Sequence, residues 1–456
     1  YGISKKAIDH FDSKNIKLLI TLDCGTNEKD EIKYALKKNI EVIVIDHHEV
    51  KESTEASVLL NPKKISDNSN LSYLSTVGIS FLFLVALNKK LQKENFFLSH
   101  TKPDLRYLLD LVALGTVCDL VPLSFINRLF VKKGIQIINK RTNLGLKILL
   151  EKINKNSDIE SQDLGYYIGP CINAAGRIGK SNQGYNLLIA EDKIKAASIA
   201  DELVKNNKER KIIESMAFNQ AEEMIHTSKK KSEKVNYILV YHNSWHPGIL
   251  GIVASRLTEK YQVPSFVISC IAKFARGSVR SIKGINVNDI LEYLKKNKII
   301  STGGGHALAG GFEMSKLQLN KLEKYLTKKM QQFSNLENNN LYIDIISEIG
   351  KIDFNVIENL NKIAPYGMGN NEPRFLFKNL RISYLIQIGI NKEHLSCFLE
   401  DIYGSRIKAI LFNVNNTKYK LVMETKQNIH VVGMIKVNEW NKKKNIQLII
   451  DDIMLL

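Results

Sequence analysis

The chain has 456 residues, 44% of them hydrophobic, which suggests about three domains with cores large enough to need neither disulfides nor a structural metal. Its five scattered cysteines, Cys24, Cys118, Cys171, Cys270 and Cys397, form no C-x-x-C pair and argue against a secreted disulfide scaffold and a zinc module. A net charge of +18 points to a polyanionic partner, but a lysine-rich composition explains it equally well, so the charge supports a reading without deciding one.

In chain order, apolar runs at 17–22, 40–45 and 57–60 read as strands and alternate with helical patterns near 28–38 and 76–92. This alternation, read up to about residue 180, predicts a parallel sheet with helices on both faces. Residues 192–227 form the longest helical pattern, ~50 Å if unbroken, and read as a connector. From Tyr237 a second α/β pattern begins, with strands at 237–241 and 265–270, a helix at 248–260, a glycine-rich loop at 303–311 and a helix near 315–332. Asn338, Asn339 and Asn340 mark a polar linker. Five short strands follow, near 374–388, 394–400, 406–412, 428–437 and 445–451, and predict a small OB-type β-barrel. The fold class is therefore α/β: a parallel-sheet domain at 1–190, a connector helix at 191–234, a smaller α/β domain at 235–334 and the barrel at 341–456. No run reaches the ~20 apolar residues of a membrane span and no signal pattern opens the chain, so the expectation is a cytoplasmic protein with no membrane partner.

The chemistry concentrates at strand ends, where ligands bind in parallel sheets. Asp23 closes the first run, and Asp46-His47-His48 closes the second. Two adjacent imidazoles beside a carboxylate have no routine structural role, but they suit a divalent cation. Asp119, between Gly115 and Pro122, adds a third acid. Asp23, His47 and Asp119 fit as metal ligands for phosphoester chemistry. Asp46 is placed to orient a neighbouring imidazole, and His48 to face phosphate or protonate a leaving oxygen.

Gly169 to Arg177 reads as a small-residue loop, with Asn173 inside it and Arg177 at its end, suited to a bidentate phosphate contact. Ser278 and Arg280 share one face of an extended segment and suit an anion. Backbone amides of the 303–311 loop, those of Gly304 and Gly305 among them, would cradle phosphate, with His306 the only polar side chain there. Tyr366, Phe375, Phe377 and Trp440 are candidates for base stacking and Lys442, Lys443 and Lys444 for backbone tracking, against a favoured reading of these aromatics as core.

Taken together, these motifs resemble the bacterial RecJ family of single-stranded-DNA exonucleases, in the DHH phosphoesterase superfamily. Thr21 to Gly25, Asp46-His47-His48, Ala113 to Leu123 and Gly169 to Arg177 are similar to its catalytic-domain motifs. Trp245 to Leu257, Gly277 to Ser281 and Gly303 to Gly311 resemble its DHHA1 domain, and Ala364 to Asn370 and Asn438 to Asn441 its OB-fold region. The resemblance implies two Mn²⁺ or Mg²⁺ ions and hydrolysis of single-stranded DNA from the 5′ end in recombination and repair. It also implies a monomer, with a helicase and a single-strand-binding protein as possible partners. It supports Asp23, His47 and Asp119 as ligands and Arg177, Ser278 and Arg280 near the terminal phosphate. The family's Asp-x-Asp-Gly element is expected upstream of Tyr1, so the chain as given is expected to be a weak or inactive nuclease. Two alternatives are a short-oligonucleotide or dinucleotide phosphodiesterase of the same superfamily, which residues 341–456 argue against, and a catalytically dead replication scaffold, which the intact Asp46-His47-His48 and Asp119 argue against and the missing first element keeps open.

Overall fold

The computed structural model describes residues 2–455 except 52–53, 179–181, 229–235, 272–273, 334–339, 390–391, 415–427 and 441–442, and excepting the side chains of 228, 439 and 440. Asn338, Asn339, Lys442 and the side chain of Trp440 thus lie outside the described residues. The chain divides into two compact units, and these do not follow chain order. One comprises Tyr1–Lys140, Asp158–Gly165 and Leu341–Leu456; the other comprises Arg141–Ser157 and Tyr166–Asn340.

The first unit opens with helix α1 (Lys5–Ser13), strand β1 (Leu18–Leu22), helix α2 (Lys29–Lys37), and strands β2 (Glu41–Ile45) and β3 (Val58–Leu60). Ser4 caps α1 by accepting a hydrogen bond from the Ala7 amide. The three strands are parallel in the order β1-β2-β3, with Leu22 opposite Ile45 and Ile45 opposite Leu60. Ile8, Ile32, Ala35, Val42 and Val44 pack helices against sheet. Among the described residues β1 pairs only with β2, and the alternating Leu18, Ile20 and Leu22 are exposed on it.

The expected strand–helix alternation stops there. Helices α3 (Thr76–Lys93), α4 (Leu109–Cys118) and α5 (Phe125–Asn139) follow instead. In α4, Val112, Ala113, Leu114 and Thr116 are all buried. An all-round apolar run of this length has no clear period, so its sequence does not separate a buried helix from a strand.

In the second unit, residues 169–177 are helical rather than a loop: helix α6 spans Gly169–Ile178. Helix α7 (Lys193–Ser228) runs unbroken for 36 residues, ~54 Å. Within it the Asn207 side chain donates to Cys171 Sγ at 3.1 Å and accepts from Arg210, three residues on in the same helix. Strands β4 (Ile238–His242), β5 (Ser265–Ile271), β6 (Phe274–Arg280), β7 (Thr302–His306) and β8 (Ala309–Ser315) form a sheet ordered β4-β5-β6-β8-β7. Helices α8 (Leu250–Tyr261), α9 (Val287–Lys296) and α10 (Leu319–Met330) complete it. The expected loop at 303–311 is thus a hairpin of β7 and β8, with Gly304 opposite Gly311 and Gly305 opposite Gly310. Glycine fits here because α9 packs closely, and a Cβ at Gly310 would strike Leu291.

The C-terminal part of the first unit contains β9 (Ile345–Ser347), helix α11 (Phe354–Ile363), β10 (Phe375–Ile388), β11 (His394–Glu400), β12 (Arg406–Leu411), β13 (Ile429–Trp440) and β14 (Lys443–Leu455). Pairing β11-β12-β14-β13-β10 closes through β10–β11 into a barrel, which leaves no long free edge. Phe375 and Phe377 sit in its core with Leu399, Val431 and Leu448, so neither can stack a base. Residues 364–370 form a strap against the N-terminal part. The Leu123 amide donates to the Met368 carbonyl at 2.6 Å, and Ser161 Oγ to the Tyr366 carbonyl at 2.6 Å. Arg128 Nη2 donates to the carbonyls of Lys362, Ile363 and Ala364 at the end of α11, where a cation also opposes the helix dipole.

Candidate active site

Asp23 follows β1 in the left-handed backbone region, φ +63°, and its amide still donates to the Ile45 carbonyl. That turn aims the carboxylate beyond the sheet edge. His47 follows the end of β2 and Asp119 is the C-cap of α4. The three meet: His47 Nε2 lies 3.5 Å from Asp23 Oδ1 and 3.4 Å from Asp119 Oδ2. Asp23, His47 and His48 each present a donor atom, all within 4.8 Å of one another. Mixed oxygen and imidazole donors at this spacing suit a hard-to-borderline divalent cation.

Asp46 is buried behind this group. Burial alone would raise its pKa, but His48 Nδ1 at 2.6 Å and the amides of Thr26, His47 and His48 hold the carboxyl well below the usual carboxylate range. The Asp46 contact in turn raises the His48 pKa against the opposing effect of burial. Asp119 moves the other way: burial raises its pKa, and the negative charge of Asp23 adds to that effect. Burial lifts the Cys118 thiol to about 11, so it stays protonated and inert at neutral pH.

Three neutral side chains that the sequence reading did not single out hold this group. Thr76 Oγ1 donates to Asp23 Oδ1 at 2.9 Å. Asn61 Nδ2 donates to Thr26 Oγ1 and to the His48 carbonyl, both at 2.9 Å, and Thr26 donates its amide to Asp46. Thr76 and Asp23 are 53 residues apart in sequence, and no local pattern signals such a pairing.

The other candidate residues lie in the second unit. Asn173 and Arg177 sit four residues apart on α6, which places them on one helix face. Arg177 Nη1 donates to the Gly248 carbonyl at 3.0 Å. A Cβ at Gly248 would lie 2.4 Å from the Arg177 carbonyl oxygen, so glycine is what lets the two backbones approach. Ser278 and Arg280 do share a face of β6, and Ser278 Oγ and Arg280 Nη2 both point at Gly251 in the first turn of α8. Burial lowers the Arg280 pKa and the Arg177 charge lowers it further; burial and the charge of Arg210 do the same to Arg177. His306, Gly304 and Gly305 lie on the β7 side of the hairpin, and His306 is exposed. His246, in the motif before α8, caps the turn by accepting from the Gly248 amide through Nδ1.

Three family models match the chain: the DHH family N-terminal domain over residues 3–116, the DHHA1 domain over 234–333 and the RecJ OB domain over 343–452. The chain is 31% identical over 463 residues to the single-stranded-DNA-specific exonuclease RecJ of Haemophilus influenzae, covering 99% of this chain and 80% of that protein. The fold is similar to that of RecJ from Thermus thermophilus in complex with Mn²⁺, with a TM-score of 0.83 and 24% identity over 99% of this chain and 64% of that one. A second solved structure, an exonuclease RecJ bound to manganese, matches 74% of this chain and 80% of that one, with a TM-score of 0.59 and 27% identity.

Proposed function

The chain belongs to the RecJ family of single-stranded-DNA-specific exonucleases, and we propose that it hydrolyses phosphodiester bonds of single-stranded DNA from the 5′ end, using a cation held by Asp23, His47 and Asp119. The observation that carries this reading is His47 Nε2 lying within 3.5 Å of two carboxylates brought from a strand end and a helix end. An imidazole between two acids is a ready ligand set for Mn²⁺ or Mg²⁺. Bound there, the cation supplies Lewis-acid polarisation of the phosphodiester and makes water more acidic.

The chain's own residues do the rest. Asp46 fixes the ring of His48 through Nδ1, so Nε2 is the nitrogen that meets substrate. The raised His48 pKa keeps a proton there to neutralise a phosphate oxygen and protonate the leaving oxygen. Arg177, Ser278 and Arg280 hold the terminal phosphate, a dianion that offsets the burial and the arginine–arginine repulsion lowering both pKa values. Asn173, one helical turn before Arg177, and the Gly304–His306 strand of the hairpin complete this substrate surface.

The barrel supplies the DNA track. On OB folds the second and third strands commonly carry the binding face. Here those are β11 and β12, where Phe398, 39% exposed, stands opposite Lys408. A ring and an ammonium side by side suit a stacked base and its phosphate. The pairing of nuclease and barrel fits recombination and repair, with a helicase and a single-strand-binding protein as the partners to test.

The experiment is a time course with Mn²⁺ on single strands labelled at either end, using this chain and its His47→Ala variant. Release of the 5′ label first, lost in the variant, is the expected result. Release of the 3′ label first, or cleavage unchanged in the variant, overturns the reading.

A further inference from the structure

The Asp23 backbone is fixed by its hydrogen bond to Ile45, but its side chain is about half exposed and would otherwise rotate freely. One neutral donor restrains it. Thr76 is buried, stands first in α3, and directs its hydroxyl at Asp23 Oδ1 from 2.9 Å. The same oxygen faces His47 Nε2 at 3.5 Å. The preceding residue, Ser75, is also buried, and its hydroxyl lies 3.4 Å from that of Thr116 on α4. Thr116 is three residues before Asp119 and fully buried. The first residues of α3 therefore touch both the acid at the end of β1 and the helix that carries the other acid. Ser75 makes no side-chain cap of its own helix. The two hydroxyls at the start of α3 are directed at the acid-bearing elements instead.

We propose that Thr76 is a positioning residue of the cation site, presetting the Asp23 carboxylate for metal by hydrogen bonding to Oδ1. The proposal rests on the metal reading above and names a residue on which that reading is silent. A carboxylate already turned toward His47 loses less rotational freedom when a cation arrives, and a partner that orients a ligand commonly changes metal affinity about 10- to 100-fold.

The test is calorimetric titration of Mn²⁺ into the full chain and into Thr76→Val, Thr76→Ser and Asp23→Asn variants, with melting temperatures taken in chelator. Thr76→Val keeps the shape and loses the donor; Thr76→Ser keeps the donor. The expected result is Mn²⁺ binding weakened about tenfold in Thr76→Val and within about twofold of the parent in Thr76→Ser. Thr76→Val within twofold of the parent, while Asp23→Asn weakens binding, overturns the role of Thr76 and leaves the metal reading standing. Equal weakening in the Val and Ser variants also overturns it, since packing then accounts for the effect. No Mn²⁺ binding by the parent, or binding indifferent to Asp23→Asn, overturns the metal reading and this proposal with it.

Discussion

The two candidate sites carry opposite charge and are built on opposite plans. The cation site gathers Asp23, Asp46 and Asp119 around two imidazoles; Thr76, Asn61 through Thr26, and backbone amides support it, and His48 pairs with Asp46 at 2.6 Å. The arginine pocket gathers Arg177, Arg210 and Arg280, with Glu214 close by. Glu214 is shared, taking Arg210 Nη1 at 2.9 Å and Arg256 Nη1 at 3.3 Å. In each site burial pushes charged groups toward neutrality, Asp119 by rising and Arg177 and Arg280 by falling. A ligand of the other sign would stabilise the charged form in each, a cation in the first site and a phosphate in the second on the proposed reading. Hydrolysis of a phosphodiester by a strand-end nuclease needs both functions. On the proposed reading, the residues for these two functions come from different units of the chain.

The comparison breaks most sharply at His47. His47→Ala removes the donor between two carboxylates, so Mn²⁺-dependent cleavage is expected to fall by about 100-fold or more. Binding to a 5′-phosphorylated strand in chelator should stay within a few-fold, because the arginine pocket is intact. Fluorescence anisotropy beside a cleavage assay reads both. If binding falls in step with cleavage, the two plans are not separate.

Next in size is the pocket. Removing one charge-assisted contact costs about 1.5 to 3 kcal/mol, roughly 10- to 100-fold. Ser278→Ala with Arg280→Ala should lower kcat/KM by that amount on 5′-phosphorylated strands and far less on 5′-hydroxyl strands. Calorimetric Mn²⁺ affinity should not change. Equal losses on both substrates would move the phosphate elsewhere, to Arg177 or the hairpin.

The sequence announced these two sites unequally, and the reasons are physical. Asp23 and Asp46-His47-His48 were legible because a strand end is a local pattern and its site lies at a predictable edge. All five barrel strands were legible because turns punctuate them. The helices from Leu109 onward were not, because α4 is apolar all round and shows no period. Residues 169–177 and 303–311 were misread for a shared reason. Small residues signal close backbone approach, and that is as true of packed helices and paired strands as of loops. Thr76 and Asn61 were invisible because their partners are distant in sequence. The strap at 364–370 was seen as a motif, but its docking on Leu123 and Arg128 was not.

That strap changes how the barrel should be tested. Deleting residues 341–456 would weaken DNA binding, but it would also remove the Ser161–Tyr366 contact and the Leu123–Met368 contact, four residues after Asp119 in sequence. Phe398→Ala with Lys408→Ala is the cleaner change. Losing one stacked base costs about 1 kcal/mol or more, so affinity for a long single strand should drop roughly fivefold or more. The loss of Lys408 should also flatten the salt dependence, by about 0.7 in the log–log slope. Affinity and slope both unchanged would show that β11 and β12 are not the track.

The smallest effect concerns the pair behind the cation site, and its sign follows from two opposite shifts. Asp46 has a depressed pKa in the fold. Its stabilising contribution is therefore complete above the unfolded carboxylate value of about 4 and is lost as pH falls below that. His48 has a raised pKa. Its contribution is complete below the unfolded value of about 6.5 and is lost as pH rises through the folded one. Both are present together only between about pH 4 and 6.5. The hydrogen bond joining them is charge-assisted and nearly shielded from water on the Asp46 side, so it is worth about 1.5 kcal/mol, a few degrees in melting temperature. Asp46→Asn should therefore cost most within that window, with the gap to the parent narrowing on either side. Melting curves in chelator from pH 3 to 9 check this, the chelator keeping cation binding out of the comparison. A gap constant across the range would mean that Asp46 holds His48 by shape alone, as a neutral amide would.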